Sequence, residues 1–286
     1  MLIESKLKDV TCYKVARSVG SLHIWNVRFY FAKGALIDTG PPNMQQTVLD
    51  VVEKIKPKAV LITHHHEDHA GNASAISSRL GIPVFASAGT VRYLSDSYYQ
   101  ARFQKITWGS FKPLTAIPMD NLHLKGIYFK AIPVPGHSDD MTAWYVPEQG
   151  WLFSGDLYIA DKIKIFRYDE NLLQTIKSLQ RVLELDFDSL LCGHNPKFEG
   201  GKNRIRAKLD FLMHLVNAAG SSYLRGEPIE DIAQRLLGKN RLVRYFTGGL
   251  VSEVHLVRSA IQSYFAMDSG GLDYSGFLEK PGPPGC

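Results

Sequence analysis

The sequence predicts an α/β protein in which two β-sheets pack face to face with helices outside, extended at the C-terminal end by helices alone. Three observations carry that expectation. Short apolar segments of strand character recur through residues 10–200 and alternate with segments of helical period. Several of these strands run into a tight turn that presents a His or an Asp. Past residue 200 the strand signal vanishes, and apolar residues recur only at helical spacing.

Residues near 10–38 alternate polar and apolar, as in Leu22, Ile24, Val27, Phe29 and Phe31, which predicts strands of a half-buried sheet. Pro41-Pro42-Asn43 ends them. Asn43 with Gln46 predicts a capping box, and Met44, Val48, Val51 and Ile55 fall on one face of a helix lying on the sheet. Val60 to Ile62 is the next strand, and a short helix from about Asn72 to Leu80 with a strand from Ile82 to Phe85 completes a β-α-β-α unit. From Tyr98 to Lys112 the pattern breaks into Tyr98, Tyr99, Arg102, Phe103, Lys105, Trp108, Phe111 and Lys112, with no clear period. That mixture reads either as a packed surface excursion or as a substrate wall or dimer contact.

Strands return at Leu122–Leu124, Ile127–Val134, Thr142–Val146 and Trp151–Phe153. A helix on Leu172, Ile176, Leu179 and Leu183 leads to the apolar strand before His194. Three amphipathic helices follow, on Ile205, Leu209, Leu212 and Val216, on Ile229, Ile232, Ala233 and Leu236, and on Leu250, Val254, Val257 and Ile261. The expected organisation is a catalytic domain over 1–200, a helical subdomain over 201–267 and a disordered tail over 268–286, whose end Pro281-Gly282-Pro283-Pro284-Gly285-Cys286 has low complexity.

The 286 residues are 21% charged and 45% hydrophobic, ordinary values for a globular chain. Residues Glu4, Lys6, Lys8 and Asp9 put charges where a secretory signal needs an apolar run, and no stretch approaches about 20 apolar residues. Cys12, Cys192 and Cys286 show no pairing pattern. A cytoplasmic protein without membrane attachment is expected. The net charge of +5 permits anionic substrates but falls short of a nucleic-acid footprint.

The chemistry concentrates in Thr63-His64-His65-His66-Glu67-Asp68-His69, directly after the Val60–Ile62 strand. Neutral imidazoles and carboxylates each offer a lone pair to a divalent cation, and crowding them without one is costly. Alternate side chains at a strand end project to one side, so His64 and His66 converge while His65 points away. Asp68 and His69 open the next helix and address a second position close by. His137 in Pro133-Val134-Pro135-Gly136-His137, Asp156 in Ser154-Gly155-Asp156 and His194 in Cys192-Gly193-His194 each follow an apolar run and a Gly, and complete a set of seven candidate ligands. Cys192, in an apolar strand two residues before His194, is expected to pack rather than ligate.

This ordered set, THHHEDH, GH, SGD and GH, resembles the metallo-β-lactamase superfamily over roughly residues 10 to 200. The likeness extends upstream to Ala35-Leu36-Ile37-Asp38-Thr39-Gly40, similar to the family's early strand ending in an aspartate that supports the metal loop. The resemblance implies an αββα sandwich. It also implies that His64, His66 and His137 hold a first metal, that Asp68, His69 and His194 hold a second, and that Asp156 bridges them. Asp38 then lies behind the ligands and fixes a loop or imidazole orientation.

Two divalent cations sharing a water lower its pKa to about 7, so the expected activity is hydrolysis by attack on a carbonyl, with Asp68 both ligating and orienting the nucleophile. The donor set suits zinc, iron or manganese, with zinc the expected metal. The stretch between Asp156 and His194 is too short for the inserted domain of RNA-processing members. Exported β-lactamases of the commonest subclass carry cysteine where Asp156 stands, and flavodiiron proteins carry an acidic residue where His66 lies. What remains resembles the glyoxalase II and small-hydrolase group, which implies cleavage of a thioester, lactone or similar acyl ester in a small, anionic substrate. Tyr158, Lys202, Arg204 and Arg206 are candidate substrate contacts, and a homodimer is a candidate assembly. A mononuclear iron dioxygenase of the persulfide-oxidising kind, a metal-dependent nuclease or phosphodiesterase, and a non-catalytic scaffold are the competing readings.

Overall fold

The computed structural model describes residues 1–19, 22–96, 98 and 100–268, with side chains for these apart from 17–19, 22–25 and 268. Tyr99, the side chains of Leu22 and Ile24, and the expected tail beyond Asp268 lie outside the described residues. By contacts the chain forms two compact units. The first comprises residues 1–134, 139–159 and 185–202, the second residues 135–138, 160–184 and the described residues from 203 on.

In the first unit, β1 (Leu2–Leu7), β2 (Val10–Val19), β3 (Leu22–Ala32) and β4 (Ala35–Ile37) form an antiparallel meander. Strands β5 (Ala59–Leu61), β6 (Val84–Ala86) and β7 (Ile117–Pro118) then add in parallel, giving a seven-stranded sheet in sequence order. Parallel neighbours need crossovers, and these contain α1 (Gln45–Ile55), α2 (Glu67–Ala70), α3 (Ala73–Leu80), α4 (Ala88–Ser95) and α5 (Arg102–Trp108). A second sheet is built from β8 (Asn121–Leu124), β9 (Ile127–Pro133), β10 (Thr142–Val146), β11 (Trp151–Gly155) and β13 (Ser189–Cys192), while β12 (Phe166–Arg167) belongs to the second unit. Strands β8 to β11 pair antiparallel, and β13 joins β11 in parallel.

The strand period of two divides the core into two layers. Tyr13, Val15, Phe29, Leu36 and Val60 face one side of the first sheet and pack with Val48, Val52 and Ile76 of the helices. Their neighbours Cys12, Tyr30, Ile37 and Leu61 face the other side and meet Phe129, Trp144, Trp151 and Phe153 of the second sheet. Burying each large apolar side chain contributes about 1.5–3 kcal/mol. Strands β4 and β5 are buried on both faces, so they read as unbroken apolar runs rather than alternating ones.

In the second unit, β12 pairs antiparallel with β14 (Val251–Ser252). The unit also holds α6 (Leu172–Leu183), α7 (Gly201–Leu224, its first two residues counting with the first unit), α8 (Ile229–Leu237), α9 (Arg241–Phe246) and α10 (Glu253–Asp268). Helix α10 packs on α6 and α8. No helix among the described residues is long and apolar enough to cross a membrane.

Several local expectations are corrected. The capping box is absent: Pro42–Met44 form a 3₁₀ turn, α1 starts at Gln45 without a side-chain cap, and the Asn43 amide donates to Thr107 O at 2.7 Å instead. The described residues past 200 hold four helices rather than three, because α9 is only six residues long and buries none of them. Helices α4 and α5 were not anticipated; α5 buries a single residue, Thr107, too little to print a period on the sequence.

Candidate metal centre

Ligand-type side chains follow the carboxyl ends of parallel strands, where open α/β sheets bind their ligands. Asp38 follows β4, the His64–His69 stretch follows β5, Asp156 follows β11, and His194 follows β13. Cross-links fix these ends to one another. Asp38 N donates to Leu61 O at 2.9 Å, Thr142 N to Thr63 O at 2.8 Å, and the Trp144 indole to Ile62 O at 3.1 Å.

Asp68, His69, Asp156 and His194 each bring one ligand atom to within 4.8 Å of the others. His69 Nδ1 lies 2.7 Å from Asp38 Oδ2, so Asp38 holds the imidazole with Nε2 facing the cluster. Asp38 is itself fixed by Thr63, whose N and Oγ1 donate to it at 2.8 and 2.9 Å. His194 Nδ1 lies 2.9 Å from Asn26 O, leaving its Nε2 3.2 Å from Asp156 Oδ2 and 3.4 Å from Asp68 Oδ2. His69 Nε2 sits 3.3 Å from Asp156 Oδ1 and 3.7 Å from Asp68 Oδ2, yet this buried nitrogen has no hydrogen-bond partner among the described residues. Two pinned imidazoles, two carboxylates and an orphaned buried nitrogen fit a divalent cation of the zinc, iron or manganese type.

The electrostatics agree with that fit. Burial works to raise the carboxyls of Asp68 and Asp156, but the His69 and His194 imidazoles outweigh it and hold Asp68 low and Asp156 lower still. Burial works to lower His69 and His194, but Asp156 and Asp68 lift both well above the ordinary imidazole value. In a cluster this anionic, positive charge is recruited, and protons are what the imidazoles can take without a cation.

His64 and His66 lie together, with His64 Nε2 2.9 Å from His66 Nδ1, and Thr63 Oγ1 lies 3.1 Å from His64 Nδ1. His65, four residues past the end of β5, points elsewhere. Its Nδ1 lies 2.9 Å from Asp140 Oδ1, its N donates to Asp140 Oδ2 at 2.9 Å, and its ring stacks on Tyr93. His137 falls in the second unit, where its Nδ1 lies 3.3 Å from Glu170 Oε2. Cys192 is buried and its Sγ accepts from Asn195 N at 3.2 Å.

The candidate substrate contacts do not form one patch. Tyr158 is buried. Lys202 Nζ donates to Leu185 O at 2.8 Å, and Arg204 pairs with Asp161 at 2.9 Å. Arg206 is exposed, and successive members two positions apart on α7 lie on opposite sides of the helix.

Sequence reasoning missed the groups that hold the His194 loop. Besides Asn26 O, Arg28 N donates to Gly193 O at 2.7 Å and the Arg28 guanidinium donates to His194 O. It also missed Asp140, for which the only local signal was its place three residues after His137. Gly155 and Gly193 are required by close approach. A Cβ on Gly155, whose φ is +51°, would lie 3.0 Å from Thr63 Oγ1, and one on Gly193 would lie 2.5 Å from His69 Cε1.

The model of the Metallo-beta-lactamase superfamily matches residues 32–194. Among curated proteins, the chain is 32% identical over 132 residues to a probable metallo-hydrolase, YybB, of Bacillus subtilis, a match covering 44% of this chain and 58% of that protein. It is 29% identical over 144 residues to hydroxyacylglutathione hydrolase of Nitrosomonas eutropha, covering 50% of this chain and 49% of the relative. The chain thus spans about half to three fifths of the length of these relatives. Among solved structures, a metallo-beta-lactamase family protein of Thermus thermophilus is similar with a TM-score of 0.65 at 18% identity, over 92% of this chain and 95% of that one. That likeness shows the fold, an α/β sandwich with C-terminal helices.

Proposed function

The chain belongs to the metallo-beta-lactamase superfamily, and from that membership we propose that it is a metal-dependent hydrolase cleaving an ester-like acyl bond, a thioester, lactone or similar ester, in a small substrate. The observation that carries the reading is the convergence of Asp68, His69, Asp156 and His194, with both imidazoles pinned through Nδ1. In this reading His64, His66 and His137 hold one divalent cation, Asp68, His69 and His194 hold a second, and Asp156 is shared. Zinc is proposed, with iron or manganese as the alternatives. When bound, the cations supply an activated water and an electrophile for the acyl carbonyl.

The chain's own residues do the positioning. Asp68, with Oδ2 facing His69 Nε2 and His194 Nε2, would both ligate and orient the attacking water. Asp38 keeps the His69 proton on Nδ1, and Asn26 O keeps that of His194 on Nδ1, so that each Nε2 keeps its lone pair for the cation. The net charge of +5 permits an anionic substrate, for which Arg204 and Arg206 are exposed candidate contacts. A cytoplasmic location is proposed on the buried free thiols of Cys12 and Cys192.

The test is turnover of a panel of thioester, lactone and phosphodiester substrates by metal-free protein and by protein reloaded with zinc, iron or manganese. Acyl-ester turnover that appears only on reloading is the expected result. Cleavage of phosphodiesters alone, or oxygen uptake by an iron-loaded protein without hydrolysis, refutes the reading.

A further inference from the structure

The aromatic and basic stretch from Tyr98 to Lys112 has no part in the proposed chemistry, yet its first residues end on the metal loop. Glu67 stands between His66 and Asp68 and is only 1% exposed. Its Oε1 accepts from Gln100 Nε2 at 2.8 Å and lies 3.2 Å from the Tyr98 hydroxyl, while Gln104 Nε2 lies 3.4 Å from both carboxylate oxygens. These donors are held in turn. Gln100 Oε1 accepts from Phe111 N at 3.1 Å, and Gln104 Oε1 from Ala101 N at 2.8 Å. The Tyr98 hydroxyl also lies 3.1 Å from His65 O, and its ring meets the His65 ring edge-on at 4.8 Å.

A carboxylate this deeply buried carries a desolvation cost that hydrogen bonds must offset, and an apolar residue of similar volume would fill the space without it. What the carboxylate adds is direction. Three donors on one segment converge on a single side chain in the four-residue helix α2, whose neighbours on either side are candidate ligands. A turn that short has too few internal hydrogen bonds to fix its own orientation.

We propose that Tyr98, Gln100 and Gln104 form a brace that acts through Glu67 to set the positions of His66 and Asp68, making all four positioning residues for the metal centre. The inference rests on the metal-hydrolase reading above.

Cobalt(II) is the probe, bound to the full-length protein. Its visible absorption reports ligand geometry, and competition with a chromogenic chelator reports affinity. Groups that hold ligands from behind typically change metal affinity about 10–100-fold when removed. Glu67→Ala and the double variant Gln100→Ala/Gln104→Ala are expected to weaken cobalt binding by that order and to alter the absorption spectrum. Glu67→Gln, which keeps the shape and one accepting oxygen, is expected to recover most of the affinity. Should Glu67→Ala fail to fold, Tyr98→Phe and Gln104→Ala each remove part of the brace and are expected to give smaller losses of the same kind.

Wild-type affinity and spectra in all these variants would overturn the brace, and so would a Glu67→Gln protein as defective as Glu67→Ala, since charge rather than position would then be at work. Wild-type protein that binds fewer than two cobalt ions per chain would overturn the underlying dinuclear reading as well, and the two failures are told apart by the wild-type titration.

Discussion

Gly193→Ala tests the geometry of the centre with one methyl group. The added Cβ would stand 2.5 Å from His69 Cε1, 2.8 Å from Asp156 Oδ1 and 3.0 Å from His69 Nε2. Ordinary carbon contacts begin near about 3.5 Å, so the imidazole and the carboxylate must withdraw by about 0.5–1 Å. The φ of Gly193 is not in the left-handed region, so alanine is otherwise tolerated by the backbone. Ligand distances to a metal tolerate about 0.2 Å, and the expected outcome is a 10–100-fold loss of metal affinity with a comparable loss of turnover. The overpacking itself costs about 1–3 kcal/mol, which unfolding of the metal-free protein would register separately. Gly89→Ala is the control, because its Cβ would meet nothing closer than 3.4 Å. Metal affinity is measured by chelator competition on both variants. If Gly193→Ala held metal as tightly as the wild type, His69 and Asp156 would not be ligands in this arrangement.

Other substitutions separate the roles of neighbouring residues. Asp38→Asn loses the carboxylate that fixes His69 Nδ1 at 2.7 Å, and about a 10–100-fold loss of metal affinity in titration is expected. His65→Ala should keep its metal while His66→Ala loses it, measured by elemental analysis; equal losses would mean that the direction of His65, toward Asp140, had been misread. Asp156→Ala and Asp68→Ala should each abolish turnover and lower metal content. Stripping the metal with a chelator should stop turnover and lower the thermal midpoint by about 10 °C, because binding at about 100 times Kd adds about 2.7 kcal/mol at each of two sites.

Local features were the legible ones. The candidate ligands His64, His66, Asp68 and His69 sit within one strand-to-helix turn, so periodicity alone separates His65 from them. Asp156 and His194 were readable because a glycine precedes each, and the structure shows why: a Cβ at either position would press on the site. The strands of the two sheets were legible from apolar runs, although only the structure divides Tyr13, Phe29 and Leu36 from Cys12, Tyr30 and Ile37 into separate core layers. What stayed hidden depends on distant pairing. Asn26 and Arg28 hold the His194 loop from the far end of the chain, and nothing in β3 distinguishes them from other polar strand residues. The candidate contacts Lys202, Arg204 and Arg206 stand two positions apart in the sequence, but helix geometry spreads them, and Lys202 and Arg204 bond to Leu185 O and Asp161. Glu67 reads as an ordinary helix-start acid until its partners Gln100 and Gln104 are seen.

The most direct test of the central claim is the metal content per chain, by elemental analysis of protein purified without added metal, with Asp156→Ala analysed beside it. The expected result is close to two metals in the wild type and a marked fall in the variant. One iron per chain, unchanged in Asp156→Ala, would contradict it and would remove the roles assigned to Asp68, His69 and His194.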